Sequence, residues 1–295
     1  MAMNPLDKRQ VRRAFDRAAD SYDEAAIVQR HMVDELMDRL QMIKLEPQIV
    51  LDVGCGTGYA RTLLAQRFPK AHYLGSDIAP GMVRRARPRA SWSPRGWKER
   101  RGAGWLCGDL ERLPLADRSV DLVFCSAVLQ WCDPEVAFSE MHRVLRPDGL
   151  LMFSTFGPDT LRELREVWAE VDSGVHVHEF IDMHILGDIM LEAGFELPVV
   201  DVDYLTVTHR EMMACLKDLK AIGAGNAAGE RARGLMSRER LRALERAFDA
   251  RRNDDGLIET TYEIVYGHAW AAELRQGREA DGAVSIPLSQ ISRRS

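Results

Sequence analysis

The strongest constraint on the fold is a glycine-rich loop between a predicted strand and a predicted helix. The apolar run QIVLDVG (48–54) has strand character, and YARTLLAQRF (59–68) has helical character. Between them, Gly54, Gly56 and Gly58 allow the backbone to approach a ligand closely. The first N–H groups of the helix would point towards that ligand.

An acidic residue ends the next predicted strand, HYLGSD (72–77). Asp77 lies 23 residues after Gly54, at a position where a carboxylate can accept hydrogen bonds from both hydroxyls of a ribose. The glycine spacing is G-x-G-x-G, whereas dinucleotide-binding loops have G-x-G-x-x-G. The spacing therefore disfavours a nicotinamide dinucleotide.

Strands and helices alternate along most of the chain, which predicts an α/β doubly wound sheet with parallel pairing. Residues 7–42 and roughly 158–195 are predicted to be helical. The further strands are predicted in VDLVFCSAV (120–128), Leu150 to Thr155, DVDYLTV (201–207) and TTYEIVYGHAWA (260–271). We expect one domain over 1–295, in which 1–46 forms a helical cover, 47–157 a cofactor-binding core, 158–195 and 209–252 a helical cap, and 196–208 and 258–272 the last strands.

Composition excludes several classes of protein. The chain has 295 residues and a formal net charge of -5, and it contains no apolar run near the ~20 residues that a membrane span needs. Five cysteines without a C-x-x-C pair argue against a disulfide framework and a structural zinc site. The first residues lack the apolar core of a secretory signal. We therefore expect a cytoplasmic globular protein.

The segments LDVGCGTG (51–58) and Cys107-Gly108-Asp109-Leu110, together with Asp77, resemble the class I methyltransferases that use S-adenosylmethionine. The resemblance implies a mostly parallel seven-stranded sheet. It also implies that the three loop glycines line the methionine portion and that Asp77 binds the ribose. Ile78 and Met82 would flank the adenine, and Asp109 would bind its amino group. The full set of cofactor-binding residues that the resemblance implies is Asp52, Gly54, Gly56, Gly58, Asp77, Ile78, Met82, Asp109, Leu110 and Ser126.

Longer segments are similar to the family that O-methylates malonyl-acyl carrier protein in biotin synthesis. These segments include FDRAADSYDEAAIVQ (15–29), the stretch from ADRSV (116–120) to LREVW (164–168), and VSIPLSQI (284–291). The resemblance implies methyl transfer to the free carboxylate of a malonyl thioester. A carboxylate is already deprotonated near pH 7, because its pKa is about 4. The enzyme's task would then be in-line alignment and exclusion of water.

Three residues are candidates for aligning the acceptor. Tyr22 lies in SYDEAA, a segment that closes over the cofactor in similar methyltransferases, although its ring could also pack a helix. Gln130 and Trp131 follow the fourth predicted strand, at the end where ligands collect in open α/β sheets. His176, His178 and His184 suggest a metal site at first, but no further ligand completes a recognisable spacing, so no metal is expected. These histidines are expected either to lie near the substrate on a lid helix or to be surface residues.

Residues 84–101 contain eight Lys or Arg and one acid, Glu99. This irregular insert is either a docking surface for an acidic carrier protein, through Arg84, Arg85, Arg87 and Arg89, or a solvated loop. The acidic overall balance disfavours nucleic acid as a partner, and no membrane partner is expected.

Other functions stay open at this point. The same fold and cofactor could serve another acceptor, such as a quinone ring carbon or a free small acid. The assembly factors of respiratory complex I also resemble GPDTLRELR (157–165) and RRNDDGLIETTYEIVYGHAW (251–270), and such a protein would act on a partner subunit. A non-catalytic binding module is disfavoured because Asp52, Asp77 and Asp109 are all present.

Overall fold

A seven-stranded sheet organises the residues that the computed structural model describes, which are 7–87, 102–224 and 237–272. The strand order is β3-β2-β1-β4-β5-β7-β6. Strands β1 to β5 pair in parallel, and β7 is antiparallel to both β5 and β6. The strands are β1 (Ile49–Val53), β2 (His72–Asp77), β3 (Ala103–Cys107), β4 (Val120–Ser126), β5 (Leu145–Phe156), β6 (Phe195–His209) and β7 (Ile258–Ala271).

Ten α-helices flank this sheet within the described ranges. They are α1 (Lys8–Ala18), α2 (Tyr22–Ala25), α3 (Ile27–Gln41), α4 (Tyr59–Arg67), α5 (Pro80–Ala86), α6 (Pro134–Val144), α7 (Arg162–Val171), α8 (Met183–Glu192), α9 (Met212–Ala221) and α10 (Arg238–Asp249). A short 3-10 helix (Leu129–Trp131) follows β4. Across these described ranges, none of the helices combines the length and the apolarity that crossing a membrane requires.

Both faces of the central strands are buried. Along β5, Leu150 and Met152 pack into the core with α3, α4, α7 and α10, whereas Leu151 and Phe153 pack into the core with α6 and α8. Alternation between two apolar cores produces the continuous apolar runs that parallel strands show. The prediction of a doubly wound α/β sheet is therefore confirmed.

Several predicted elements differ in detail from the structure. The predicted helix over 7–42 is divided into α1, α2 and α3, and the predicted helical region 158–195 is interrupted over 172–182. There the carboxylate of Asp172 accepts hydrogen bonds from the Gly174 amide and the His176 ring. Such side-chain bonds compete with the helical pattern and end it.

Strands β3 and β5 also differ from the prediction. Strand β3 was not predicted, because it is a short, half-buried strand at the edge of the described sheet, where it pairs with β2. Strand β5 begins at Leu145 rather than at the predicted Leu150, and its register with β4 shifts between Val120 and Leu122. Asp148 has a φ of 60° at this irregularity.

Candidate active site

The loop between β1 and α4 has a backbone that requires glycine. Gly54, Gly56 and Gly58 have φ values of 68°, 52° and 93°. A Cβ on Gly54 would lie 2.1 Å from Cγ2 of Val128, and one on Gly58 would lie 3.2 Å from Cα of Ala86. The loop is therefore pressed against the ends of β4 and α5, and any side chain at Gly54 would be forced into Val128.

Asp77 connects this loop to the end of β2. Its carboxylate accepts hydrogen bonds from the Gly56 amide at 3.0 Å and the Ala79 amide at 2.8 Å. Burial raises the pKa of Asp77 to about 6, although both amide bonds favour the charged form. The acid is thus held at the carboxyl end of the sheet, beside the glycine loop.

A cavity of about 620 Å³ lies over the carboxyl ends of β1, β2 and β4. Eight of the ten predicted cofactor-binding residues line it, and they come from the ends of strands β2 and β4, from helix α5 and from the loops that follow β1, β2 and β3. They are Gly54, Gly56, Asp77, Ile78, Met82, Asp109, Leu110 and Ser126. We call this space the donor cavity.

The other two predicted cofactor-binding residues lie elsewhere. Asp52 lines an adjoining cavity of about 480 Å³ that shares Gly54, Gly56 and Ser126 with the donor cavity. The phenol of Tyr73 donates a hydrogen bond to the Asp52 carboxylate, and burial raises the pKa of Asp52 to about 7. Gly58 lines neither space, and the close approach of its backbone to Ala86 in α5 leaves no room for a side chain there.

Helix α1 covers the donor cavity from the solvent side. Lys8, Val11 and Phe15 line the cavity at helical spacing. The ammonium of Lys8 lies 3.1 Å from the Asp109 carboxylate, 2.8 Å from that of Glu111 and 3.4 Å from Sγ of Cys132.

The Lys8 ammonium ties α1 to the loops after β3 and β4. Burial alone would lower the pKa of Lys8, but Cys132, Glu111 and Asp109 together raise it above its usual value. Asp109, Glu111 and Cys132 are close enough together to hold a metal ion. In this structure they surround the Lys8 cation.

A second cavity, of about 700 Å³, adjoins the donor cavity, and we call it the acceptor cavity. Phe15, Tyr22, Ala127 and Trp131 line both spaces and form a shared wall. Most of the remaining lining is aliphatic or aromatic, and the described part of it contains no lysine or arginine. Ligands in the two spaces would therefore have the side chains of this shared wall in common.

The three predicted aligning residues come together at this junction. Tyr22 and Trp131 belong to the shared wall, and Gln130 lines the acceptor cavity. The amide of Gln130 donates to the Ala127 carbonyl at 2.8 Å and accepts from the Thr155 hydroxyl at 3.2 Å, which fixes its orientation. Burial, with the charge of Asp77 nearby, raises the pKa of Tyr22, so its phenol stays protonated.

The three histidines do not form one cluster. His184 is exposed at the start of α8 and hydrogen-bonds to Asp182. His176 and His178 line the acceptor cavity from the irregular segment 172–182. The His176 ring stacks on Trp168 at 3.6 Å, whereas the His178 ring lies 5.1 Å from Trp131 and 4.6 Å from Phe180.

The predicted docking arginines are only partly described. Arg84 and Arg85 lie in α5. Arg84 is 3.9 Å from Asp16, and Arg85 donates to the carbonyls of Ala19 and Asp20. Arg87 follows α5, and Arg89 lies outside the described residues.

Sequence reasoning missed several residues of the site. Lys8, Val11 and Phe15 recur with helical spacing, so the pattern predicted a helix but not the cavity that the helix covers. Val128 lies in an irregular segment, and only tertiary packing brings it to the donor cavity, so no local signal marks it.

Comparison with known proteins finds both a matching family model and relatives over nearly the full length of the chain. A family model described as a methyltransferase domain matches residues 51–153. A malonyl-[acyl-carrier protein] O-methyltransferase of Laribacter hongkongensis is 48% identical, covering 95% of each chain. One from Halorhodospira halophila is 45% identical, covering 99% of each chain.

A solved structure shares the fold at much lower identity. The SAM-dependent methyltransferase of Thermotoga maritima is 19% identical, with a TM-score of 0.51 over 88% of this chain and 99% of that chain. Its likeness supports the fold alone, whereas the two relatives above share almost the full length of this chain. The chain belongs to the malonyl-[acyl-carrier protein] O-methyltransferase family.

Proposed function

We propose that this protein transfers a methyl group from S-adenosylmethionine to the free carboxylate of malonyl-acyl carrier protein, forming a methyl ester for biotin synthesis. The observation that carries the proposal is the pair of adjoining cavities with one shared wall. The donor cavity carries the charged side chains of Lys8, Asp77 and Asp109, whereas the described lining of the acceptor cavity has no Lys, Arg, Asp or Glu and is mainly apolar. Two reactants placed there would meet at Tyr22 and Trp131.

The residues of the donor cavity fit S-adenosylmethionine. The Asp77 carboxylate is an acceptor for ribose hydroxyls, and Ile78 and Met82 offer apolar surfaces for a base. The glycine loop would hold the methionine end, where a cavity that includes Asp52 extends the donor cavity. When bound, the cofactor supplies a methyl group on a sulfonium, which is a good leaving group.

The protein's own groups would align the acceptor and keep water out. A carboxylate needs no base, because it is ionised at neutral pH. Phe15, Trp131 and Phe180 line the acceptor cavity with rings that exclude water, and exclusion strengthens the remaining polar contacts. The acceptor carboxylate is itself the nucleophile, so this chemistry needs no nucleophilic side chain.

Mass spectrometry of malonyl-acyl carrier protein after incubation with the enzyme and S-adenosylmethionine tests the proposal. One methyl replacing one hydrogen adds about 14 Da, and unloaded carrier should gain nothing. Free malonate is the second control, since a carrier-dependent enzyme should ignore it. If cofactor binding is demonstrated by calorimetry and the loaded carrier gains no mass, the acceptor is a different molecule.

The arginines near α5 are proposed to dock the acidic carrier protein. Arg84, Arg85 and Arg87 are neighbours of α1, because α1 and α5 pack together. Helix α1 also exposes Arg9, Arg12, Arg13 and Arg17 while its inner face lines both cavities. Positive charge would thus surround the cover of the active site.

Charge reversal tests the docking surface. Changing Arg84, Arg85 and Arg87 to glutamate should raise the KM for malonyl-acyl carrier protein without changing the KM for the methyl donor. Reversal of three exposed arginines on α10, Arg238, Arg242 and Arg246, is the matched control. Equal effects of the two triple variants on the KM for the carrier would contradict a docking role for α5.

A further inference from the structure

The described lining of the acceptor cavity contains no cation for a carboxylate. Its polar members are the side chains of Tyr22, Gln29, Gln130, Thr160, His176, His178 and Tyr262. Under the proposed function, the acyl chain that enters this cavity ends in a carboxylate. Neutral hydrogen-bond donors in the described lining would then have to receive it.

Two of these side chains have a buried polar atom without a partner in the described structure. They are Nε2 of His178 and Oε1 of Gln29. Buried polar atoms are nearly always hydrogen-bonded, so each unpaired atom requires an explanation. An amide oxygen accepts hydrogen bonds and does not suit a carboxylate, whereas an imidazole nitrogen can carry a proton and donate one.

His178 also lies in the right place to meet the reacting end of the acceptor. Its ring centroid is 5.1 Å from that of Trp131, a member of the wall that the two cavities share. The ring centroid of Phe180, which also lines the acceptor cavity, lies 4.6 Å from that of His178. The His178 ring thus lies beside the wall where donor and acceptor would meet.

The surroundings of His178 keep its imidazole neutral. Burial lowers the pKa of His178 to about 4, and the positive charge of Arg165 acts in the same direction. The guanidinium of Arg165 itself donates to the carbonyls of Thr160 and Pro158. Arg165 therefore acts on His178 through its charge, while its own N–H groups bind the backbone.

We propose that the neutral imidazole of His178 donates a hydrogen bond from Nε2 to the terminal carboxylate of the acceptor. This proposal rests on the proposed function and names the side chain that would recognise its acceptor. A neutral donor can hold one carboxylate oxygen and leave the other available for the methyl group. A methyl ester has lost the negative charge, so the same contact would be weaker with the product.

Binding to the enzyme loaded with S-adenosylhomocysteine tests the assignment without turnover. Acetyl-acyl carrier protein lacks the terminal carboxylate, so comparison with malonyl-acyl carrier protein isolates the contribution of that group. We expect the wild type to bind the malonyl form more tightly. His178→Leu should weaken malonyl binding by about 10- to 100-fold, the usual range for a hydrogen bond to a charged group, and leave acetyl binding unchanged. His178→Gln, which keeps a neutral N–H donor, should retain part of the preference.

Controls separate this assignment from folding and from the proposed function. His184→Leu changes an exposed histidine outside both cavities and should bind like the wild type. If His178→Leu does not bind S-adenosylhomocysteine, the test uses the wild type and follows the side-chain ¹⁵N resonance of His178 by NMR. Malonyl-acyl carrier protein should shift this resonance, and the acetyl form should not.

Each contrary result has a distinct meaning. An unchanged malonyl preference in His178→Leu, equal losses for both carriers, or an unshifted resonance would refute the role of His178. If the wild type neither binds nor methylates malonyl-acyl carrier protein, the proposed function fails, and the assignment fails with it. If the wild type methylates malonyl-acyl carrier protein but the His178 variants keep the malonyl preference, the proposed function stands and only the role of His178 is refuted.

Discussion

Replacement of Gly54 by alanine tests the geometry of the loop that supports the donor cavity. The residue has a φ of 68°, and its Cβ would lie 2.1 Å from Cγ2 of Val128. The left-handed backbone costs a non-glycine residue about 1–2 kcal/mol, and forced overlap in a packed site costs typically about 1–3 kcal/mol. We therefore expect Gly54→Ala to lower the free energy of unfolding by about 2–5 kcal/mol.

A double-mutant cycle separates these two causes. Val128→Ala removes the methyl groups that the new Cβ would strike, but it leaves the backbone strain in place. The double variant should recover about 1–3 kcal/mol relative to the sum of the single variants. Urea unfolding measures the free energies, and calorimetry with S-adenosylhomocysteine measures whether the loop still binds its ligand.

Gly187→Ala provides the matched control. Gly187 lies inside α8 and has no positive φ, and a methyl group placed on its Cα would meet no atom within 4 Å. Alanine should stabilise that helix by about 0.5–1 kcal/mol. An unchanged free energy of unfolding in Gly54→Ala would refute the steric role of Gly54. So would a double variant with Val128→Ala that regains no stability.

Two further variants test the buried and half-buried charges around the donor cavity. Burial raises the pKa of Asp52 to about 7 in the folded protein, above the value of about 4 in an unfolded chain. The protonated carboxyl therefore stabilises the fold fully below pH 4, and this contribution is lost as the pH rises to 7. We expect Asp52→Asn to reduce the fall in unfolding free energy between pH 5 and pH 8 by on the order of 2 kcal/mol. An unchanged pH profile in urea titrations would contradict the buried placement of this carboxyl. Lys8→Met removes the cation between Asp109 and Glu111, so it should lower the free energy of unfolding by about 1 kcal/mol. Calorimetry should also show weaker binding of S-adenosylhomocysteine. Arg9→Met, on the exposed side of the same helix, should change neither quantity.

The order of the central elements could be predicted because local signals agree there. The apolar run before Gly54 predicted β1, and the run that ends at Asp77 predicted β2. The continuous apolar character of these strands follows from burial on both faces of the sheet. Positions in the loops that follow such strands are therefore visible in the sequence, and eight of the predicted cofactor-binding residues lie around one cavity.

The elements that sequence reasoning missed depend on long-range contacts. Strand β3 is short and half-buried, so its pattern resembles that of a loop, and Trp105 packs against Tyr73 only once β2 is in place. His178 gains its significance from Trp131, which lies 47 positions earlier in the chain. Residues 88–101 and 225–236 lie outside the described structure, which therefore includes Arg84, Arg85 and Arg87 of the predicted docking arginines.

The shared wall has a consequence for the way the two ligands influence each other. Phe15 and Tyr22 belong to both cavities, so a ligand that fixes these rings from one side also shapes the surface offered to the other. Thermodynamic linkage makes such an influence mutual: the factor by which the first ligand changes the affinity for the second equals the factor in the opposite direction. The rings of the shared wall thus determine the cooperativity between the two reactants. It is positive if both ligands favour the same orientation of the Phe15 and Tyr22 rings, and negative if they favour different ones.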